Sequence, residues 1–335
     1  MAEIAVKKKM EIVNISKFRE VGLLGFIILL SVLVQIRNPS FLTLENINDM
    51  VKNTAILSIL TVGMMLVIVT RGIDLSIGAT LALSGMIAAL AVGANPDLHP
   101  VLAILLGTLV GIACGAVVGS LVSKGGILPI IATLGMMNVF RGLTFTVSNG
   151  KWVSAHQMPP SFKGIATSSI LGINTLIFIA IIIYIIFYYF INHTRTGRQI
   201  YAVGSNPESA KISGINNARI LWLVYTVMGA LAGLAGVLWV SKFASAQGDT
   251  AMGYEMNVIA ACVLGGVNIA GGSGKISGII LGSLLLGILN NALPLINVSP
   301  FWQSAIQGLI ILIAVLFNAL VKRGVDRNHL MRRKI

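Results

Sequence analysis

The chain has 335 residues, 56% of them hydrophobic and only 10% charged, with a net charge of +13. A soluble domain carries about 25% charged residues, so an ordinary water-soluble globular protein is excluded. The positive charge does not make a nucleic-acid binder either. The basic residues sit in tails and loops between apolar runs, where the positive-inside bias of a membrane protein puts them.

In chain order, residues 1–20 read as a basic N-terminal tail carrying Lys7, Lys8, Lys9, Lys17 and Arg19. The first apolar run after it is too long and uninterrupted for a signal-peptide core. Apolar windows predict ten spans, at about 21–36, 51–70, 75–93, 100–122, 127–147, 168–191, 219–241, 257–271, 276–294 and 303–321. The expected fold is therefore an all-α polytopic membrane bundle in one domain, residues 21–321, with a polar loop at 192–218 and a basic C-terminal tail at 322–335. An even number of spans puts both tails on one side. With the 192–218 loop and Arg71, Lys124 and Lys275, that side holds 18 of the 24 basic residues and is predicted to be cytoplasmic.

Two stretches interrupt the apolar pattern. "VTRGIDLSIG", residues 69–78, sets Arg71, Asp74 and Ser76 between two spans, with Gly72 and Gly78 as breaking residues. "LGGVNIAGGSGKISG", residues 264–278, is dense in glycine, including Gly265, Gly266, Gly271 and Gly272. Such breaks in both halves of a chain either mark a transport pathway and its gate or are plain turns at the cytoplasmic surface. The second stretch imitates a phosphate-binding loop, but Ile269 and Ile276 stand where that motif needs Gly and Ser or Thr. The chain is expected to hold no nucleotide of its own.

In the fourth span Gly107, Gly111, Gly115 and Gly119 recur every four residues, a bare ridge along one helix face where a second helix can come close. Asn138, Arg141, Asn290, Asn291, Gln303 and Gln307 fall inside spans, where such groups either join helices or line a pathway. Cys114 and Cys262 lie in separate apolar segments and read as small buried hydrophobes. His99, His156, His193 and His329 fall outside the span interiors, so no catalytic residue and no metal site is expected. In the polar loop, Asn206 suits a helix N-cap, Pro207 the first helical position and Glu208 the positive helix end. Gly214 suits a left-handed stop, so a helix is predicted over 207–213.

Three long motifs, "GMMLVIVTRGIDLSIGATLALSG" (63–85), "HTRTGRQIYAVGSNPESAKISGI" (193–215) and "GYEMNVIAACVLGGVNIAGGSGKISG" (253–278), resemble the permease subunits of ribose-type bacterial ABC importers. The likeness runs from residue 41 to the C-terminal tail. It implies a type II importer bundle in the bacterial inner membrane, two permease subunits (two copies or a copy and a paralogue) and two ATPase subunits that carry ATP and Mg. It also implies a binding protein that delivers a small neutral sugar. This chain then binds no cofactor, lies in lipid and makes no contact with nucleic acid. By the same resemblance the polar loop holds the coupling helix that docks on the ATPase, with Arg198, Asn206, Pro207, Glu208, Ala210, Ser213 and Gly214 as its residues. Arg71 before "GIDLS", where ribose permeases carry a small residue, and "SPFWQSAIQG" at 299–308 look more like the branch that handles autoinducer-2 or rhamnose. The alternative is a secondary transporter or channel that works alone. It would carry ionisable residues in its spans for ion coupling, and here only Arg71, Asp74 and Arg141 qualify.

Overall fold

The computed structural model describes residues 2–299 together with 301–303, 305, 306, 308, 309 and 312, and side chains from residue 20 onward. The chain runs through α1 (Ala2–Arg37), α2 (Leu44–Val69), α3 (Ile77–Ala94), α4 (Pro100–Ser123) and α5 (Pro129–Val147). A short α6 (Pro160–Thr167) and a hairpin of β1 (Ser169–Ile170) and β2 (Ile173–Asn174) precede α7 (Thr175–His193). Then follow α8 (Arg195–Ser205), α9 (Pro207–Ile212), α10 (Asn217–Phe243), α11 (Tyr254–Leu264) and α12 (Ile276–Leu295). Among the described residues eight helices are long and apolar enough to cross a membrane, so the fold is the expected all-α polytopic bundle.

Two of the predicted spans change. Residues 2–20, expected as a basic tail, are helical and run without a break into the first span, Glu20–Arg37, since no Gly or Pro interrupts them. The span predicted from 168 starts at Thr175, because Leu171 and Gly172 both take positive φ and close a two-residue turn, and Asn174 then caps the helix through a 3.0 Å bond from the Leu176 N–H. The span predicted at 257–271 is α11, which stops at Leu264 ahead of Gly265 and Gly266. Its 11 residues rise only about 16 Å, half of what a bilayer needs. The last predicted span, 303–321, and the C-terminal tail lie mostly outside the described residues.

The core is α2 and α10. From Thr54 to Val69 every residue of α2 is buried, as a helix apolar on nearly every side must be, and the hydroxyls of Thr54, Ser58 and Thr61 donate back to their own helix. The glycine ridge of α4 packs on α10, which answers with its own Gly229 and Gly233. A Cβ on Gly111 would overlap the Gly229 carbonyl, one on Gly233 the Gly107 carbonyl, and one on Gly115 the Tyr225 carbonyl. The two backbones are in contact with no side chain between them.

The bundle has two ends. At one, Asn38 Nδ2 donates to the Leu295 carbonyl (2.8 Å), and Val153 pairs with Ala246. At the other, here the loop face, α8 meets the 70–76 and 265–275 connections, α9 follows it, and Lys275 pairs with Glu20 at 3.3 Å.

Candidate functional site

The loop face gathers three segments far apart in sequence: the end of α2, the end of α8 and the glycine-rich turn before α12. Arg71 lies just past α2 with φ +67, a left-handed conformation uncommon outside Gly, Asn and Asp. Its guanidinium reaches α8, where Nε donates to the Gly204 carbonyl (2.6 Å) and Nη2 to the Ser205 carbonyl (2.5 Å). These are the last two residues of α8, so a cation sits on the negative end of that helix. The Gly272 N–H donates to the Val69 carbonyl (2.9 Å), and the Tyr201 hydroxyl of α8 donates to the Gly274 carbonyl (2.7 Å). Burial pushes the Tyr201 hydroxyl above the usual tyrosine range. Gly204 has no room for a Cβ, which would overlap the Val69 carbonyl oxygen. Gly271 (φ +85) and Gly272 (φ +75) are left-handed and press on Arg71 and Ser205.

Asp74 makes no ion pair with Arg71. Its Oδ1 accepts from the Ser76 N–H (2.9 Å) and the Ser76 hydroxyl (2.6 Å), which fixes the turn into α3. The carboxyl is 3% exposed, and burial pushes it up to about 6, against the lowering effect of the two Ser76 bonds. Gly72 leaves space for the buried Tyr225 hydroxyl, which has no hydrogen-bond partner among the described residues. Asp74 and Tyr225 thus form a polar spot inside an apolar wall.

The loop predicted as one helix holds two. α8 starts at a Thr194 cap, its hydroxyl accepting from the Gly197 N–H at 3.0 Å, and buries Gly197, Ile200, Val203 and Gly204 on one face. That spacing of three and four residues was the readable signal for it. α9 has the expected caps. Asn206 Oδ1 accepts from the Ser209 N–H (3.0 Å), and Pro207 opens the helix. Gly214 (φ +79) closes it, with Gly214 N–H to the Lys211 carbonyl and Ile215 N–H to the Ala210 carbonyl, both 3.0 Å. The helix ends at Ile212, and Ser213 is its C-cap. Arg198 and Glu208 are exposed. Ala210 is not available to a partner; it is 4% exposed and turned into the bundle. The apolar side chain that α9 presents outward is Ile212, 88% exposed, which the sequence reading did not single out.

The glycine-rich stretch 265–275 is a turn at the loop face, not an interruption inside a span. Its Gly265 packs on the Gly278 backbone in the first turn of α12, and Gly266 takes φ +93. The interrupted span is the one just before it. After α10, residues 244–253 turn back into the bundle as irregular chain, until Ala251 packs on Gly78 and α11 begins. Arg141 Nη1 donates to the carbonyls of Gly248 (2.9 Å) and Thr250 (2.7 Å), with Asp249 and Glu255 acting on its charge. Non-helical backbone at such a position needs protein partners of this kind. Gly248, Thr250 and Glu255 carry no local signal in the sequence, because their role needs the long-range contact.

Arg141 is therefore held by the 248–250 backbone. Asn291 is held too, in a reciprocal amide pair with Asn46 at 2.9 and 3.0 Å. Asn138 and Asn290 lie exposed on α5 and α12, so the four residues do not converge on one site. Gln303 donates to the Val298 carbonyl (2.8 Å), and Gln307 is outside the described residues. The candidate span in α5 is the least apolar of the eight. It leaves Gly135, Asn138, Gly142 and Thr146 uncovered beside Leu134 and Phe145, a mixed surface unlike the exposed side of α7 with Ile181, Ile182, Ile185 and Ile186.

Comparison with known proteins gives a family. The family described as branched-chain amino acid transport system / permease component matches residues 46–315. The ribose import permease protein of Escherichia coli K12 is 40% identical over 297 residues, covering 88% of this chain and 92% of that protein. The ribose import permease protein of Bacillus subtilis is 41% identical over 295 residues, covering 88% and 91%. The L-arabinose ABC transporter permease protein of Azospirillum brasilense is 36% identical over 297 residues, covering 89% and 86%. No solved structure gives a significant match.

Proposed function

This chain belongs to that family of membrane transport permeases, and from that premise we propose that it is the translocating subunit of an ATP-binding cassette importer for a monosaccharide. The observation that carries the reading is near full-length identity of 36–41% to permeases named for ribose and L-arabinose. The family description names amino acids, but these relatives are named for sugars. In this reading ATP and Mg belong to separate ATPase subunits, and a binding protein supplies the sugar at the end opposite the loop face. The loop face is cytoplasmic, in keeping with the basic residues on that side. A second permease subunit, a copy or a paralogue, covers the mixed face of α5 and completes the pathway. α9 is the element that docks on the ATPase, with Ile212 as its apolar anchor. The break at 70–76 is the inner gate.

The test is co-purification with the ATPase encoded beside this chain, followed by uptake of labelled D-ribose, L-arabinose and D-allose into reconstituted vesicles. Uptake is expected only with ATP and the ATPase. Ile212→Asp is expected to weaken ATPase binding by about tenfold or more, since burying an unpaired carboxylate costs more than ~1.4 kcal/mol. Sugar uptake by the chain alone, without ATP, would instead assign it to the stand-alone transporters.

A further inference from the structure

α9 cannot itself touch the Asp74 turn. Between them stands the end of α8, and one side chain joins the two. Arg71 is three residues ahead of Asp74, and its guanidinium is bonded to the carbonyls of Gly204 and Ser205, immediately before the Asn206 cap of α9. No carboxylate pairs with Arg71 among the described residues, so its hydrogen bonds are committed to that backbone. The contact is close on every side. Gly204 lies against the Val69 carbonyl, and Gly272 bonds Val69 from the other direction. A shift of α8 and α9 toward or away from the bundle therefore has to move residues 69–71 or break two charge-assisted bonds. On the other side of Arg71, the path to Asp74 is only Gly72 and Ile73. The Asp74–Ser76 bonds then fix the start of α3.

We propose that Arg71 is a positioning residue that ties the end of α8 to the Asp74 turn, so that ATPase docking on α9 is passed to the start of α3 through its two hydrogen bonds. This rests on the reading of α9 as the docking element. The left-handed backbone at Arg71 offers a clean variant. Arg71→Gly suits φ +67 better than arginine does and removes only the tether, so the chain is expected to fold. Arg71→Gln, too short and uncharged to bridge the same carbonyls, serves as a second variant.

The experiment is amide hydrogen exchange on the full chain in lipid nanodiscs, with and without its ATPase. In the wild type, adding the ATPase is expected to slow exchange over 206–215 and to change exchange over 70–78. In Arg71→Gly and Arg71→Gln, 206–215 is still protected, but the response at 70–78 is lost. An equal response at 70–78 in both variants, or none in the wild type despite protection of 206–215, overturns the proposal. Absence of protection at 206–215 in the wild type defeats the docking reading, and the tether with it.

Discussion

The α4–α10 seam and the loop-face knot are both built on glycine, for opposite physical reasons. In the seam, Gly107, Gly111, Gly115, Gly229 and Gly233 are ordinary helical residues, and what matters is the missing Cβ. Two backbones lie in contact, and the gain is dispersion and close packing in a phase that offers no hydrophobic drive between helices. In the knot, Gly271 and Gly272 matter for their left-handed φ, and Gly204 lets the end of α8 sit on the Val69 carbonyl at the end of α2. There the interactions are a few directed hydrogen bonds through Arg71, Gly272 and Tyr201. A seam of distributed contacts resists movement, whereas a knot of a few bonds can be undone and remade. In the proposed mechanism the seam is the rigid part and the knot the moving part.

Gly111→Val tests the rigid half and carries the largest expected effect. Its Cβ would overlap the Gly229 carbonyl and stand 2.6 Å from the Gly233 Cα, both backbone atoms that cannot rotate away. Ordinary overpacking costs about 1–3 kcal/mol because side chains yield, and here only helix separation can relieve the clash. The inserted, monodisperse chain is expected to be lost on size-exclusion in detergent. A normal elution profile would mean that the seam is looser than its geometry.

Gly204→Ala makes the matching change in the knot. The new Cβ meets the Val69 carbonyl, and the end of α8 must withdraw from Arg71. Only the last residue of α2 is involved, not the packed length of the spans, so the chain should insert and purify normally. ATP-dependent uptake is expected to fall by about tenfold, as the loss of ~1.4 kcal/mol of coupling would give. If Gly204→Ala also abolished insertion, knot and seam would be one structural unit and the contrast between them would fail.

The two regions were also unequally legible in the sequence. The ridge on α4 could be read because four-residue spacing on one helix is local information. Its partner, Gly229 and Gly233, repeats the spacing, but nothing in the chain says that the two ridges meet. In the knot, the caps of α9 at Asn206 and Gly214 were readable, since each acts on residues within a turn of itself. The bonds from Arg71 to Gly204 and Ser205 cross 133 and 134 positions and leave no local trace. Hydropathy misplaced the broken span for a related reason. Residues 257–271 are apolar enough to read as one helix, while the irregular segment 244–253 is held by Arg141 from a distant helix.

Gly214→Ala is the smallest of the changes and sharpens the contrast further. Gly214 is left-handed like Gly271 and Gly272, but a Cβ there would meet nothing within 4 Å, so sterics with neighbours play no part. What is left is the intrinsic cost of φ +79 in a residue with a side chain, about 1 kcal/mol, partly offset because alanine also has less freedom when unfolded. α9 has only six residues, and its closing bonds are Gly214 N–H to Lys211 and Ile215 N–H to Ala210. The cost therefore falls on local fraying of this helix and not on the bundle. Amide exchange over 210–215 is expected to rise by about fivefold, the equivalent of ~1 kcal/mol, with the thermal midpoint of the whole chain unchanged. Gly214→Asn, which tolerates the left-handed region better, should recover part of the difference. A drop in the midpoint as large as that of a seam substitution would mean that the α9 cap supports the whole bundle, and that rigid and moving parts are not separated as the glycines suggest.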